Sequence, residues 1–442
     1  MLIAILAASV VATSAGAGKS MPTPASAAQQ DTVPVFTLAQ ALDRAVQLNP
    51  GYVAALGSVA EAQWGRTAAR VAFFVPSATV SLGQTWYSQP FFNFGTLKQS
   101  STSSTLQLQA EYTIFSARKF TDLGRTQAEL EAATATEVQR RFLAALLTEA
   151  AYYGVLADLE LTRVARERSQ RAEQQLIASR ARVTSGAAVQ TDSLTVRIEL
   201  IRAQVGQLSV ESDLTVARLE FGRRVGIAGP ADPAPLDTAL APPLPLTLED
   251  AVRRALEQGP AYRIARAQER AAEAVLKGER GSYLPTLTLS AAHTRFDETV
   301  FPNAFGVSNI TVGVSLPIWN DGRRELAIIQ ARTTRDVSRA VRSDLERAAV
   351  RDVTFLYDAY ETARAKFALA AEALVAAREN YRVQGARYRS GATTVLDLIQ
   401  AQNSLSDAEA GVVQARYVAR LAFAALEATL GARLAPVPGE GQ

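Results

Sequence analysis

Two hydrophobic periods alternate along this chain, and they change over at prolines. From residue 36 a helical period runs for about 40 residues and stops at Pro76, because the residue before a proline is driven out of the helical region. "VPSATVSLGQTWYS" then alternates every second residue, a polar loop follows, and "STLQLQAEYTIF" returns with the same period of two. In the returning segment Leu106, Leu108, Ala110, Tyr112 and Ile114 share one face, and Gln107, Gln109, Glu111 and Thr113 share the other. The same order recurs later. Pro285 ends a helical stretch, "LPTLTLSAAHTRF" alternates, and "NITVGVSLPIW" sets Ile310, Val312, Val314, Leu316 and Ile318 against Asn309, Thr311, Gly313 and Ser315. The pattern predicts two hairpins, hence four strands.

Each hairpin leads into a much longer helical stretch. Residues 119–183 contain no proline, and at 1.5 Å per residue they make a rod of about 98 Å. The counterpart over 321–388 places Leu356, Tyr360, Ala363, Phe367, Ala370, Leu374, Ala377 and Tyr381 at spacings of four and three, a coiled-coil seam. The helix that turns back after it keeps that spacing through Ala401, Leu405, Ala408, Val412, Ala415, Ala419, Ala422 and Leu426. Alanine at alternate seam positions lets helix axes approach closely, as in helices set side by side in a wall. A long antiparallel coiled coil with no channel predicts the same seam.

The chain is a tandem repeat. "FTLAQALDRAVQLNPGY" at 36–52 and "LTLEDAVRRALEQGPAY" at 246–262 agree at seven of seventeen positions. Later landmarks keep step: Pro76 with Pro285, Gly186 with Gly391, and Asp192 with Asp397. The two halves span 36–225 and 246–431, joined by a Pro/Ala-rich connector at 226–245 and followed by a tail at 432–442.

Composition removes whole classes of chemistry. With 46 basic and 43 acidic residues there is no basic patch to point to nucleic acid. No cysteine and one histidine leave neither thiol nucleophile nor disulfide nor a cysteine zinc site, so no metal or cofactor is expected. Residues 1–28 read as an export signal, with an apolar run and an A-x-A site at Ala25–Ala27. "GAGKS" at 16–20 looks like the end of a phosphate loop, but Thr13 stands where its first glycine belongs. No nucleophile, base and oxyanion site have catalytic spacing, so the chain is read as a non-enzyme. His293, on the third strand, has no second ligand to join.

Strands with one apolar and one polar face fit a membrane barrel, although an ordinary sandwich presents the same alternation. Four strands cannot close a barrel, and an open edge in lipid leaves backbone groups unpaired at several kcal/mol each. A membrane reading therefore requires an oligomer, with eight strands from two copies or twelve from three. Trp86 and Trp319, read as strand ends, would belong to an aromatic girdle.

The doubled "TLxxAxxxA…P" entries, Pro76 and Pro285, "VSLPIWNDGRR", and "RYRSGATTVLDLIQAQNSLSDAEAGVVQARY" together resemble the TolC family of outer-membrane efflux proteins across 36–431. The resemblance implies an α+β membrane protein and homotrimer, with a long antiparallel α-helical coiled-coil tube crossing the periplasm. Each chain would give four strands to a twelve-stranded barrel in outer-membrane lipid. It implies a passive exit duct in the Gram-negative outer membrane, joined through a periplasmic adaptor to an inner-membrane transporter. The alternative is a periplasmic coiled-coil scaffold or adaptor with no channel.

Each rod ends in a short turn, "VTSGAAVQTD" and "YRSGATTVLD". Asp192 and Asp397 can be first-turn acids that offset a helix dipole. By resemblance Asp397 is an aperture aspartate, whose three copies would favour cations. The family's second acid is replaced by Gln400. Asp192 and Tyr388 match residues that latch a closed tip, but Thr393 stands where their arginine partner would be. Ser185, Gly186 and Ala187, with Ser390, Gly391 and Ala392, match adaptor-docking turns, with alanine where a larger apolar residue is usual.

Overall fold

The computed structural model describes residues 33–93, 97–236, 243–300 and 304–435. The export signal at 1–28 and "GAGKS" lie outside the described residues, as does most of the tail.

The opening stretch is two helices where the sequence pattern predicts one of about 40 residues. Helix α1 spans Leu38–Leu48 and α2 spans Pro50–Val71. Pro50 has no N–H to continue the first ladder, and it starts the second helix at N1, where none is needed. Asn49 caps the new start by accepting from the backbone N–H of Gly51 at 2.9 Å and Tyr52 at 3.1 Å. The second half breaks in the same place: α5 spans Leu248–Gln258 and α6 spans Pro260–Arg280, with Gly259 and Pro260 at the joint.

The recurring entry has a packing reason. Ala41 and Ala45 of α1 are buried, as are Ala251 and Ala255 of α5. Ala41 belongs with a core of Phe36, Leu38, Tyr152 and Phe221, and Ala251 and Ala255 with one of Leu246, Val353, Leu426 and Leu430. In both halves the short helix plugs the upper part of a rod pair. The connector between the halves is more than a spacer. Its Asp232–Pro233 (β4) pairs in parallel with Val35–Phe36 (β1), and Ala234 accepts from the Tyr152 hydroxyl at 2.7 Å.

The rods are as long as the spacing predicts. Helix α3 covers Ala117–Thr184 and α7 covers Arg323–Arg389, each about 100 Å. They turn back as α4, Gln190–Arg224, and α8, Val395–Leu430. The α7 seam is buried or half-buried from Leu356 to Tyr381, while the flanking positions are mostly exposed. One window of α3 is apolar enough by length and composition to cross a membrane. Half of that window is buried against other helices, and α3 contributes Tyr152, Val155 and Leu156 to the first core.

The four predicted strands form one antiparallel sheet in the order β2-β3-β5-β6, from Ser77–Asn93, Lys98–Phe115, Thr286–Asp297 and Phe305–Ser315. The two repeats meet at its centre, where β3 pairs with β5. Strands β2 and β3, at 17 and 18 residues, are longer than their counterparts. Strand β6 ends at Ser315, earlier than the alternation suggests, because Pro317 has no N–H for the ladder. Leu316, Ile318 and Trp319 therefore follow the strand. Trp86 is likewise not at a strand end: it lies within β2, where the register with β3 shifts.

Candidate functional site

The sheet register turns sequence alternation into two chemically distinct surfaces. Val80 lies opposite Leu108, Leu82 opposite Leu106, Leu289 opposite Val312 and Ala291 opposite Ile310. On the other face Thr79 meets Gln109, Ser81 meets Gln107, and Glu111 meets Ser290, which in turn meets Thr311. Val80 is 70% exposed and Ile310 77%, so the apolar face has no protein cover among the described residues. Side chains of this kind over a strand length of 11 to 18 residues match the hydrocarbon band of a tilted transmembrane strand. Trp86 (70% exposed) and Trp319 (73%) project from the two ends of this region.

His293 pairs in register with Leu108 and Ser308, and its Nδ1 lies 2.8 Å from the Ser308 hydroxyl. Among the described residues no group of His, Asp or Glu is arranged to hold a metal ion.

At the opposite end of the rods, about 100 Å away along α3, the two turns are built alike. Gly186 and Gly391 have φ of +79° and +80°. Ala187 N–H donates to the Arg182 carbonyl at 2.8 Å and Gly186 N–H to Val183 at 3.0 Å; Ala392 and Gly391 repeat this with Arg387 at 2.8 Å and Tyr388 at 3.1 Å. These are paired Schellman caps, which need the left-handed residue that glycine supplies without steric cost. Ser185 and Ser390 occupy the C-cap positions and, with Gly186, Ala187, Gly391 and Ala392, make two exposed knuckles at the end of the molecule. Just inside them Leu176, Val196, Tyr388, Val395, Leu398 and Ile399 draw all four long helices into one small apolar core.

The two acids of the tip differ. Asp397 is the N3 residue of a capping box with Thr394. Its Oδ2 accepts from the Thr394 hydroxyl at 2.6 Å, the Thr393 hydroxyl at 2.8 Å and the Thr394 N–H at 3.1 Å. The Thr394 and then Thr393 hydroxyls hold its carboxyl below the usual carboxylate range. Its contribution to folding is therefore present above the unfolded value and is lost only as pH falls through the depressed folded one. Asp192 has no such box, because its N-cap is Val189. Gln400, one turn beyond Asp397, is exposed on the same side of α8.

Asp397 thus does local work whatever it does for passing ions, and substitution separates the roles. Asp397→Ala is expected to fray the first turn of α8, read as faster amide exchange at residues 395–398. Asp397→Asn keeps an acceptor for the Thr394 N–H while removing the charge, so it should protect those amides better than alanine.

Asp192 and Tyr388, the two positions that match a latch, do not bond one another among the described residues. Tyr388 is 5% exposed, and its buried hydroxyl has no hydrogen-bond partner among the described residues. Its ring instead lies under the Arg182 guanidinium, with Cζ 4.6 Å from the ring centroid. Arg182, 206 residues away in sequence, also donates to the Tyr388 carbonyl. Spacing alone gave no sign of this contact.

A lipid-compatible open sheet carried on paired rods about 100 Å long defines a class: an outer-membrane protein that reaches far into the compartment beneath. The family model for outer membrane efflux proteins matches residues 41–223 and 251–432, one block in each repeat, and the chain belongs to that family. It is 28% identical over 262 residues to the outer membrane efflux protein BepC of Brucella suis, a match covering 58% of this chain and 56% of that relative. The fold is similar to that of solved structures. One is the outer membrane protein VceC of Vibrio cholerae, with TM-score 0.75 and 17% identity over 90% of this chain and 97% of VceC. Another is the CmeC outer membrane channel of Campylobacter jejuni, with TM-score 0.76 and 14% identity over 89% and 85%. A third is the MtrE outer membrane channel of Neisseria gonorrhoeae, solved in an open state, with TM-score 0.73 and 19% identity over 90% and 89%.

Proposed function

We propose that three copies of this chain form a passive exit duct of an efflux system. The barrel would stand in the outer membrane, and the rods would reach into the periplasm to an adaptor and an inner-membrane transporter. The observation that carries this reading is the sheet: lipid-compatible on one face, polar on the other, and open at β2 and β6. In hydrocarbon those edges must be paired, and twelve strands close around a water-filled lumen lined by Gln107, Gln109 and Thr311. The glycine knuckles at the far end are the surface an adaptor would meet. Energy for transport would come from the partners.

The helices support the oligomer independently. Along α4, Leu194, Ile198, Ile201, Val205 and Leu208 keep a four-three spacing, yet each is about half to two-thirds exposed. That is a second seam with no partner among the described residues, and a neighbouring copy would supply one. Replacing both Val205 and Leu208 by lysine should split the three-chain particle into single chains in mild detergent, measured by light scattering. An unchanged three-chain mass would remove α4 from the interface, and a single-chain mass for the unaltered protein would end the duct reading.

A further inference from the structure

We propose that Arg182 is the residue that holds the tip closed in this protein, by clamping the face of Tyr388. This rests on the reading of the tip as the entrance of a duct. The contact ties the last turn of α3 to the last turn of α7, and so one helical hairpin to the other.

The internal repeat supplies its own control. Arg182 and Arg387 occupy the same place in the two turns, 205 residues apart, as do Gly186 and Gly391. Both make the same local bond: Arg182 Nη2 donates to the Ala187 carbonyl at 3.3 Å, and Arg387 Nη2 to Ala392 at 3.4 Å. Arg387 otherwise acts on the Asp397 charge of its own hairpin, whereas Arg182 reaches across to the other hairpin. The residue following Arg387 is Tyr388, whereas the residue following Arg182 is Val183, so the repeat offers Arg182 an aromatic face and offers Arg387 none. A bond present in both turns serves the turn; the stacking found in one serves the junction between hairpins.

The surrounding seam explains why a single contact matters there. Along the lower part of α3, Arg168, Arg171, Gln175, Ser179 and Arg182 recur at spacings of three and four, and each has a buried side-chain atom with no hydrogen-bond partner among the described residues. Arg168 reaches Glu199 at 2.6 Å and Asn403 at 2.9 Å, and Arg171 reaches Glu409 at 2.9 Å. Beside the small apolar core of Leu176, Tyr388, Leu398 and Ile399, this stretch joins the hairpins through the polar contacts of Arg168 to Asn403 and Arg171 to Glu409, unlike the aromatic packing around Tyr152 and Phe221 higher up. An under-satisfied polar seam has the low cost of parting expected of an element that moves. Arg182 lies at its end, at the lip. The clamp uses the ring and the backbone carbonyl of Tyr388, leaving the hydroxyl unpaired. It is therefore a different device from a carboxylate latch on that hydroxyl.

The chain has no cysteine, so Leu396→Cys, at an exposed position in the first turn of α8, gives one spin label per subunit. Distances between labels on the intact oligomer in nanodiscs report the width of the lip without requiring conduction. Arg182→Gln and Tyr388→Ala should widen the distribution, and each should raise mean single-channel conductance or open probability at least fivefold, since each subunit loses one cation–π contact worth about a factor of five. Arg182→Lys should fall between Gln and wild type, Tyr388→Phe should stay closer to wild type than Tyr388→Ala, and Arg387→Gln should match wild type. Adding Arg182→Gln to Tyr388→Ala should widen the lip no further. Narrow distances in Arg182→Gln would overturn the clamp, and so would a Tyr388→Phe lip as wide as that of Tyr388→Ala. Distances that respond as expected in a protein that never conducts would uphold the clamp and count against the duct.

Discussion

Ile310→Arg is expected to abolish stable outer-membrane insertion, while Thr311→Arg, one residue on, is tolerated. Ile310 is 77% exposed on the apolar face, in register with Ala291. Thr311 is in register with Ser290 and, beyond it, Glu111 on the polar face. An arginine on the lipid side near mid-membrane costs roughly 2–4 kcal/mol, and three copies multiply it. On the lumen side the same charge remains in water. Fractionation of outer membranes and the yield of detergent-extracted oligomer check the contrast. Equal loss from both substitutions would mean that strand β6 tolerates no arginine anywhere, and equal tolerance would mean that neither face meets lipid.

Arg433→Ala is expected to be the most destabilising single substitution away from the membrane. Arg433 Nη1 donates to Glu149 and to Glu427, both at 2.6 Å, and these carboxylates are only 4% and 3% exposed. Glu427 further accepts from the N–H of Leu434 at 2.6 Å and Ala435 at 3.3 Å, fastening the chain beyond α8 to the top of the rods. Removing the guanidinium leaves two carboxylates buried together, at about 3–5 kcal/mol. Chemical unfolding of the detergent-solubilised oligomer measures it. The pH dependence has a definite sign. Burial raises the Glu149 carboxyl above its ordinary value, and Arg433 opposes that rise. The folded state therefore holds this proton more tightly than the unfolded chain. Glu149 accordingly costs stability as pH rises from the unfolded carboxylate value through the raised folded one. Without Arg433 that window moves upward, so the variant should recover stability on mild acidification, and Glu149→Gln should flatten the dependence.

The architecture was readable because it rests on local signals. Proline with a change of period marks each helix-to-strand switch, glycine marks each tip, and three-four spacing marks the rods. Even the break at Pro50 is written in the sequence, since asparagine followed by proline is both a cap and a stop; periodicity alone carries the eye across it. What stayed hidden is tertiary. Glu149 and Arg433 are 284 residues apart, and Arg182 and Tyr388 are 206 apart, with no spacing rule to join them. Trp86 was misplaced by the same limit, because β2 runs on past the end of its apolar alternation. The aspartates show the converse. Their position in a first helical turn suited both for dipole work, and the neighbouring residues, Thr394 before Asp397 and Val189 before Asp192, decide which of them closes a capping box.

The central claim is that this chain, assembled in threes, makes a continuous water path through the outer membrane. The most direct test is single-channel recording of the detergent-purified oligomer in a planar bilayer, with Arg182→Gln alongside the unaltered protein. The account predicts a small stepwise conductance that becomes larger in the variant. Protein that remains soluble without detergent and never inserts would contradict it, and would leave a periplasmic coiled-coil scaffold as the better description.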